Sequence, residues 1–252
     1  MRHAGQRRHA SSSALLVLAL CLAAGVPAHA ARGLDLSGFN LDVAFSSDYV
    51  VHGVTRSQGD PSVQGHVGWV GESGLMAGTW LATVNLNPGP GPTLEIDPYL
   101  AKRWLLGEDW ALRTDATRYL FRKRLADVPY DYTELRSALS FRDIFDVAVA
   151  WAPDYSGFSY RGFARQRTML TYEAGAHFPA TRWLALNVGV GRRDMQEAYD
   201  ASYWYWSGGA ETTLDRWSFA LTYIGTDNTA RQLYGGEYAG HRVVATLALR
   251  LR

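Results

Sequence analysis

From Phe39 the apolar residues Phe39, Leu41, Val43 and Phe45 alternate with Asn40, Asp42, Ala44 and Ser46. A period of two sends successive side chains to opposite faces of an extended chain, so this stretch predicts a strand with one apolar and one polar face. A helix would scatter the same residues around its circumference. The alternation returns in blocks of about ten residues, the length a tilted strand needs to cross a bilayer. It predicts strands at 39–55, 62–70, 75–85, 93–104, 110–121, 132–141, 144–152, 167–178, 183–191, 202–213, 216–225 and 241–251. The clearest are Leu184/Leu186/Val188/Val190, Trp217/Phe219/Leu221/Tyr223 and Val243/Ala245/Leu247/Leu249/Leu251.

The connections discriminate further. Short turns are predicted at Gly71-Glu72-Ser73-Gly74, Leu106 to Asp109, Arg142-Asp143, Pro179 to Arg182 and Leu214-Asp215. Between them lie longer polar segments, Gly53 to Pro61, Asn85 to Pro92, Arg122 to Asp131 and Arg192 to Ala201. Outer-membrane barrels alternate short periplasmic turns with longer outer loops, and an even strand number leaves both ends in the periplasm. Trp69, Trp104, Trp110, Phe141, Phe145, Phe178, Trp183 and Trp217 stand beside the short turns, where an aromatic girdle meets the headgroups. An unpaired backbone group in hydrocarbon costs several kcal/mol, so the first and last strands must pair. The expected fold is all-β, a closed antiparallel up-and-down transmembrane barrel of about twelve strands.

Residues 1–30 read as an export signal rather than part of this fold. Arg2, Arg7 and Arg8 precede the apolar stretch Ala14 to Val26, and Ala28-His29-Ala30 offers a small-x-small cleavage site. Cys21, the single cysteine, lies within it, so residues 31–252 form one domain without a disulfide framework. Losing the signal's three arginines lowers the basic residues from 25 to 22 against 24 acidic, and that balance gives no support to nucleic-acid binding. No long apolar run remains for a membrane helix. All nine tryptophans and fourteen tyrosines remain, which suits a surface crossing membrane interfaces.

Several short motifs occur in order. Ser47-Asp48-Tyr49, Gly53, Ser57-Gln58-Gly59-Asp60-Pro61 and Val63-Gln64-Gly65 open the mature chain. Leu94-Glu95-Ile96-Asp97, Tyr130-Asp131-Tyr132-Thr133-Glu134 and Pro153-Asp154-Tyr155 follow. In this order and spacing the chain resembles the TorF porin family over nearly its whole mature length. The resemblance implies a porin-like outer-membrane protein and little more.

With apolar residues facing lipid, their neighbours face the lumen. That set includes Glu95, Asp97, Tyr99, Arg113, Asp115, Tyr119, Glu134, Arg136, Glu173, His177, Asn187 and Glu211. Glu95, Asp97, Tyr119, Glu134 and Arg136 are expected to meet near the outer mouth as a constriction. Three carboxylates against one arginine there predict a preference for cations. Arg122, Lys123, Arg124, Arg165, Arg167, Arg192 and Arg193 fall in outer connections, where arginine forks suit lipopolysaccharide phosphates. The expected function is passive diffusion of small hydrophilic solutes or ions. The alternatives are a non-conducting structural or adhesive barrel acting through its loops, and a lipid-modifying enzyme. The histidines His52, His66, His177 and His241 are widely separated and none sits in a nucleophile motif. No catalytic residue, metal site or cofactor is expected. The expected partners are outer-membrane lipids, lipopolysaccharide, the barrel assembly machinery and small solutes.

Overall fold

The computed structural model describes residues 38–86, 92–122 and 130–251. The leader 1–30, Lys123 and Arg124 lie outside the described residues. Twelve strands close into an antiparallel barrel, each pairing with its neighbour along the chain. They are β1 (Phe39–Ser46), β4 (Ser62–Val70), β5 (Leu75–Val84), β6 (Thr93–Leu106), β7 (Trp110–Phe121) and β8 (Tyr132–Phe141). Next come β9 (Phe145–Ser159), β10 (Gly162–Pro179), β11 (Leu184–Met195), β12 (Ala201–Leu214), β13 (Trp217–Thr226) and β14 (Arg242–Arg250). Two short strands, β2 (Val50–Val51) and β3 (Val54–Thr55), pair only with each other between β1 and β4. The barrel closes where β1 meets β14, in register from Asp42↔Arg250 to Ser46↔Thr246. The Leu251 amide donates to the Leu41 carbonyl at 2.9 Å and carries the pairing one step further.

Period-two alternation resolves into an outside and an inside. Phe45 (52 % exposed), Leu100 (56 %), Val147 (55 %) and Val243 (59 %) point outward, with Leu135, Leu186, Val188 and Leu221 between them. A soluble monomer does not leave so continuous an apolar belt in water. The inward set carries polar and charged residues such as Gln64, Glu95, Thr171 and Glu211, joined at the loop end by Tyr132, Met169, Tyr203 and Tyr205.

The five short connections 71–74, 107–109, 142–144, 180–183 and 215–216 share one end of the barrel with Gly38 and Leu251. Rings crowd this end: Trp104, Trp110, Phe145, Phe178, Trp183 and Trp217 are exposed there, with Trp110 4.8 Å from Phe141 and Phe145 5.7 Å from Phe178 between centroids. The other connections gather at the opposite end.

At that loop end the structure departs from the expected boundaries. The first strand stops at Ser46, and 47–55 turns inward as the β2–β3 hairpin. The segment 153–166 is the end of a long hairpin, because β9 and β10 run 15 and 18 residues and turn at Tyr160-Arg161. Arg192 to Met195 extend β11, so the connection to β12 shrinks to the single helical turn α1 (Gln196–Tyr199) and Asp200. The last connection carries the helix α2 (Asn228–Tyr234), whose Asp227 cap accepts from the Ala230 amide.

Candidate functional site in the lumen

The hairpin between β1 and β4 folds into the barrel because its own chemistry holds it compact. Val50-Val51 and Val54-Thr55 flank His52-Gly53, both with positive φ (50° and 79°), the pair of values a type I′ hairpin turn requires. The Asp48 carboxylate accepts from the Thr55 hydroxyl at 2.5 Å, the Ser57 hydroxyl at 2.8 Å and Arg242 of β14 at 2.6 Å. The Tyr49 amide donates to Ser57 Oγ, and the Arg56 amide donates to the Tyr49 carbonyl. Bonds from the Thr55 amide to the Tyr238 carbonyl and from the Asn85 amide to the Arg56 carbonyl tie the loop to its neighbours. The tip touches the wall at β12 and β13: a Cβ at Gly53 would stand 2.4 Å from Thr226 and 2.8 Å from Tyr205. Only glycine fits there.

This loop carries Arg56 and His52 into the lumen. Arg56 donates to the Glu95 carboxylate and, at 3.0 Å, to the Tyr132 hydroxyl. Its guanidinium lies over Tyr119 and Phe121, 5.3 and 5.4 Å from the ring centroids. His52 Nδ1 accepts from Arg193 at 2.8 Å, and its Nε2 stands 4.0 Å from Glu173. Burial, then the charges of Arg193, Arg56 and Arg136, hold His52 well below the ordinary histidine range, so the ring is neutral.

The expected constriction residues come together on adjacent strands. Glu95 and Asp97 lie on β6, Tyr119 on β7, and Glu134 and Arg136 on β8, with Tyr119↔Tyr132 and Thr117↔Glu134 in register. All three acids are buried, and Tyr119 stacks on Tyr132 at 4.5 Å. The expected acidic excess does not survive the inserted loop. Arg56 reaches Glu95 from a segment predicted to lie outside, Arg193 enters from β11, and Arg136 pairs with Glu173 at 3.3 Å. Three guanidiniums now stand among the acids where one was counted.

Arg193 is the clearest correction. It is not an outer-loop cation: only 6 % exposed, it faces the lumen, donating to Met169 Sδ as well as to His52. Its parity shows why, since Val188, Val190 and Arg192 point outward along β11 while Asn187, Gly191 and Arg193 point inward. Arg122, Arg165 and Arg167 are exposed at the loop end, and Arg192 is half-buried on the outer wall. Of the remaining lumen residues, Tyr99 bonds His66 at 2.9 Å, His177 bonds Asn187 at 2.7 Å, and Arg113 pairs with Asp115 at 3.2 Å. His241 meets Tyr223 at 2.7 Å.

The loop half of the lumen also holds an apolar cluster. Tyr49, Val51, Tyr132, Tyr155, Met169, Met195, Tyr203, Tyr205 and Leu233 of α2 are buried against one another. Above the Arg56–Glu95 pair a cavity of about 130 Å³ remains, with Arg56 and Arg193 in its lining.

The bacterial family model described as "Bacterial protein of unknown function (Gcw_chp)" matches residues 28–249. This chain belongs to the Gcw_chp family. The match supports that family alone and does not extend to the TorF resemblance of the chain's motifs. No curated protein matches the Gcw_chp chain in sequence. Solved structures match it in fold. The NanC porin superposes with a TM-score of 0.57 at 10 % identity, over 84 % of this chain and 99 % of that one. The KdgM porin gives a TM-score of 0.50 at 6 % identity, over 84 % and 97 % of the two chains. A protein solved in a study of in-meso crystallisation of membrane proteins gives 0.53 at 8 % identity, over 84 % and 83 %. At such identities the likeness is one of fold. The inward hairpin bears the Gcw_chp chain's own opening motifs: Asp48 is its hub, Gly53 its tip and Ser57 its brace.

Proposed function

We propose that the chain is an outer-membrane channel of porin type, passing small hydrophilic solutes or ions, whose lumen the 47–61 loop narrows to a constriction. The observation that carries this reading is a charged lumen behind a closed wall whose outer face is apolar. A barrel built only to anchor loops has no need of Glu95, Asp97, Glu134, Arg136 and Glu173 on its inner wall, where desolvating each charge is costly without partners. Arg56, Glu95, Asp97, Tyr119, Glu134 and Arg136 form the constriction, and the exposed Arg122, Arg165 and Arg167 at the outer mouth suit lipopolysaccharide phosphates. The leader 1–30 delivers the chain across the inner membrane, and the assembly machinery inserts it.

One observation favours a second reading, a plugged barrel: the loop and α2 fill much of the loop half of the lumen. Single-channel recording of the refolded mature chain separates the two. The channel reading expects small ohmic steps from the native protein. It expects larger steps from Gly53→Val, whose side chain has no room against Thr226 and Tyr205 and so displaces the loop. A Gly53→Val barrel that is folded, closed and silent would make this a plug.

A further inference from the structure

The cavity above the constriction has an unusual lining. It contains Arg56 and Arg193, seven tyrosines and, among the described residues, no carboxylate. Glu237, the acid at its rim, is outside the lining and accepts from the Tyr160 hydroxyl at 3.0 Å. Burial pushes the Tyr130 hydroxyl up to about 12 and raises that of Tyr234, so these walls stay uncharged at neutral pH. The lining's formal charge is therefore that of its two guanidiniums.

They are not equally neutralised. Arg56 has Glu95. Arg193 is buried with two neutral acceptors, the Met169 thioether and the His52 imidazole, and among the described residues it closes no ion pair. Glu134 acts on it only from beyond ion-pairing distance. A buried guanidinium facing open space without a carboxylate is set for an anion, and its planar fork matches a carboxylate's two oxygens. Around it Tyr132, Tyr155, Tyr203 and Tyr234 offer ring faces and edges, with Tyr155 already 5.5 Å beneath the Arg193 guanidinium. Aromatic walls favour a flat apolar body in offset or edge-to-face contact. A cavity of about 130 Å³ is close to the ~150 Å³ that holds one benzene ring.

We infer that this cavity binds an organic monocarboxylate carrying a flat six-membered ring, its carboxylate on Arg193 with Arg56 alongside and its ring among the tyrosines. The inference rests on the channel reading, to which it adds a solute class and a waiting position above the constriction.

The test is calorimetric titration of the refolded mature chain in detergent with sodium benzoate, benzylammonium chloride and sodium acetate. Benzoate binds, benzylammonium of the same shape does not, and acetate binds at least roughly tenfold more weakly for want of the ring. Arg193→Met weakens benzoate by roughly tenfold or more, the loss of a charged hydrogen bond. Arg56→Gln provides the same reading should Arg193→Met fail to refold. No benzoate heat, or equal binding of benzylammonium, overturns the proposal; acetate binding as tightly as benzoate overturns its ring half. Potassium chloride conductance of the same preparation is read separately. Conductance without benzoate binding overturns the site and leaves the channel, whereas benzoate binding to a silent barrel supports the site and removes the channel.

Discussion

Arg56 and His52 show how far two side chains on one connection can change a lumen. Arg56 turns an acidic patch into a nearly balanced one, and His52 bridges the loop to Arg193 of β11 as a neutral acceptor. That neutrality has a consequence for pH. Docked, the His52 ring is buried against Arg193, Glu173 of β10 and Tyr205 of β12, with Arg56 and Arg136 nearby. Glu173 at 4.0 Å favours the imidazolium, but burial and three guanidiniums oppose it and prevail. Undocked, the ring returns to an ordinary value of about 6.5. The undocked loop therefore takes up its proton first as pH falls. By linkage, the docked state keeps its full advantage above about pH 6.5 and loses it progressively below. Conductance should rise as the bath is taken from about pH 7.5 to about pH 5, and His52→Gln, which still offers Arg193 an acceptor, should flatten the profile. A wild-type profile already flat over that range would remove His52 from the control of the loop.

Between elements, the strands were legible because each carries its own record of which face is buried. β13 matches its predicted span to within a residue at each end, and β11 its predicted start, since Leu184/Leu186/Val188/Val190 and Trp217/Phe219/Leu221/Tyr223 leave no other register open. The inward hairpin was not legible, because Tyr49-Val50-Val51 and Val54 continue an apolar strand pattern whether the chain lines a wall or folds inside it. The signal for it lies in His52-Gly53 between two β-branched pairs, a two-residue hairpin turn. Arg193 was misplaced for a related reason: a cluster of charge at a strand end resembles a loop, and only parity carried past Val190 assigns its face. The register makes its own test. Arginine at Leu186, Leu221 or Val147, all outward and exposed, should destabilise the barrel by about 2–4 kcal/mol near the bilayer midplane. Arginine at the inward Asn187 or Thr222 should cost much less. Denaturant titrations in lipid vesicles measure both, and equal penalties on the two faces would contradict the assigned register.

For the molecule as a whole, the place to look for weakness is the seam. β11 pairs with β12 from Leu184↔Thr212 to Met195↔Ala201, whereas β1 holds β14 only from Asp42↔Arg250 to Ser46↔Thr246. A sheet in hydrocarbon cannot leave that edge open. Side chains reinforce the short ladder: Arg250 lies 3.7 Å from Asp42, Ser46 and Thr246 share a hydroxyl contact at 3.1 Å, and Arg242 donates to Asp48 at 2.6 Å. The last of these is the more buried of the two ion pairs, with side chains 14 % and 9 % exposed, and it joins the seam to the hub of the inward loop. Closure of the wall and docking of the loop therefore share one ion pair. Arg242→Gln should cost roughly 1.5–3 kcal/mol, the worth of a buried hydrogen bond between charged groups. The control is Arg142→Gln at the opposite end, whose pair with Asp109 is 60 % and 45 % exposed and should be worth less than about 1 kcal/mol. A closed barrel resists SDS until heated, so the temperature at which the folded band disappears from a gel reports seam opening directly. That temperature should fall clearly for Arg242→Gln and scarcely move for Arg142→Gln. Because Asp48 loses its wall contact in the same variant, conductance should rise below that temperature, before the barrel itself opens. Equal thermal shifts in the two variants would show that the seam is no weaker than the rest of the wall.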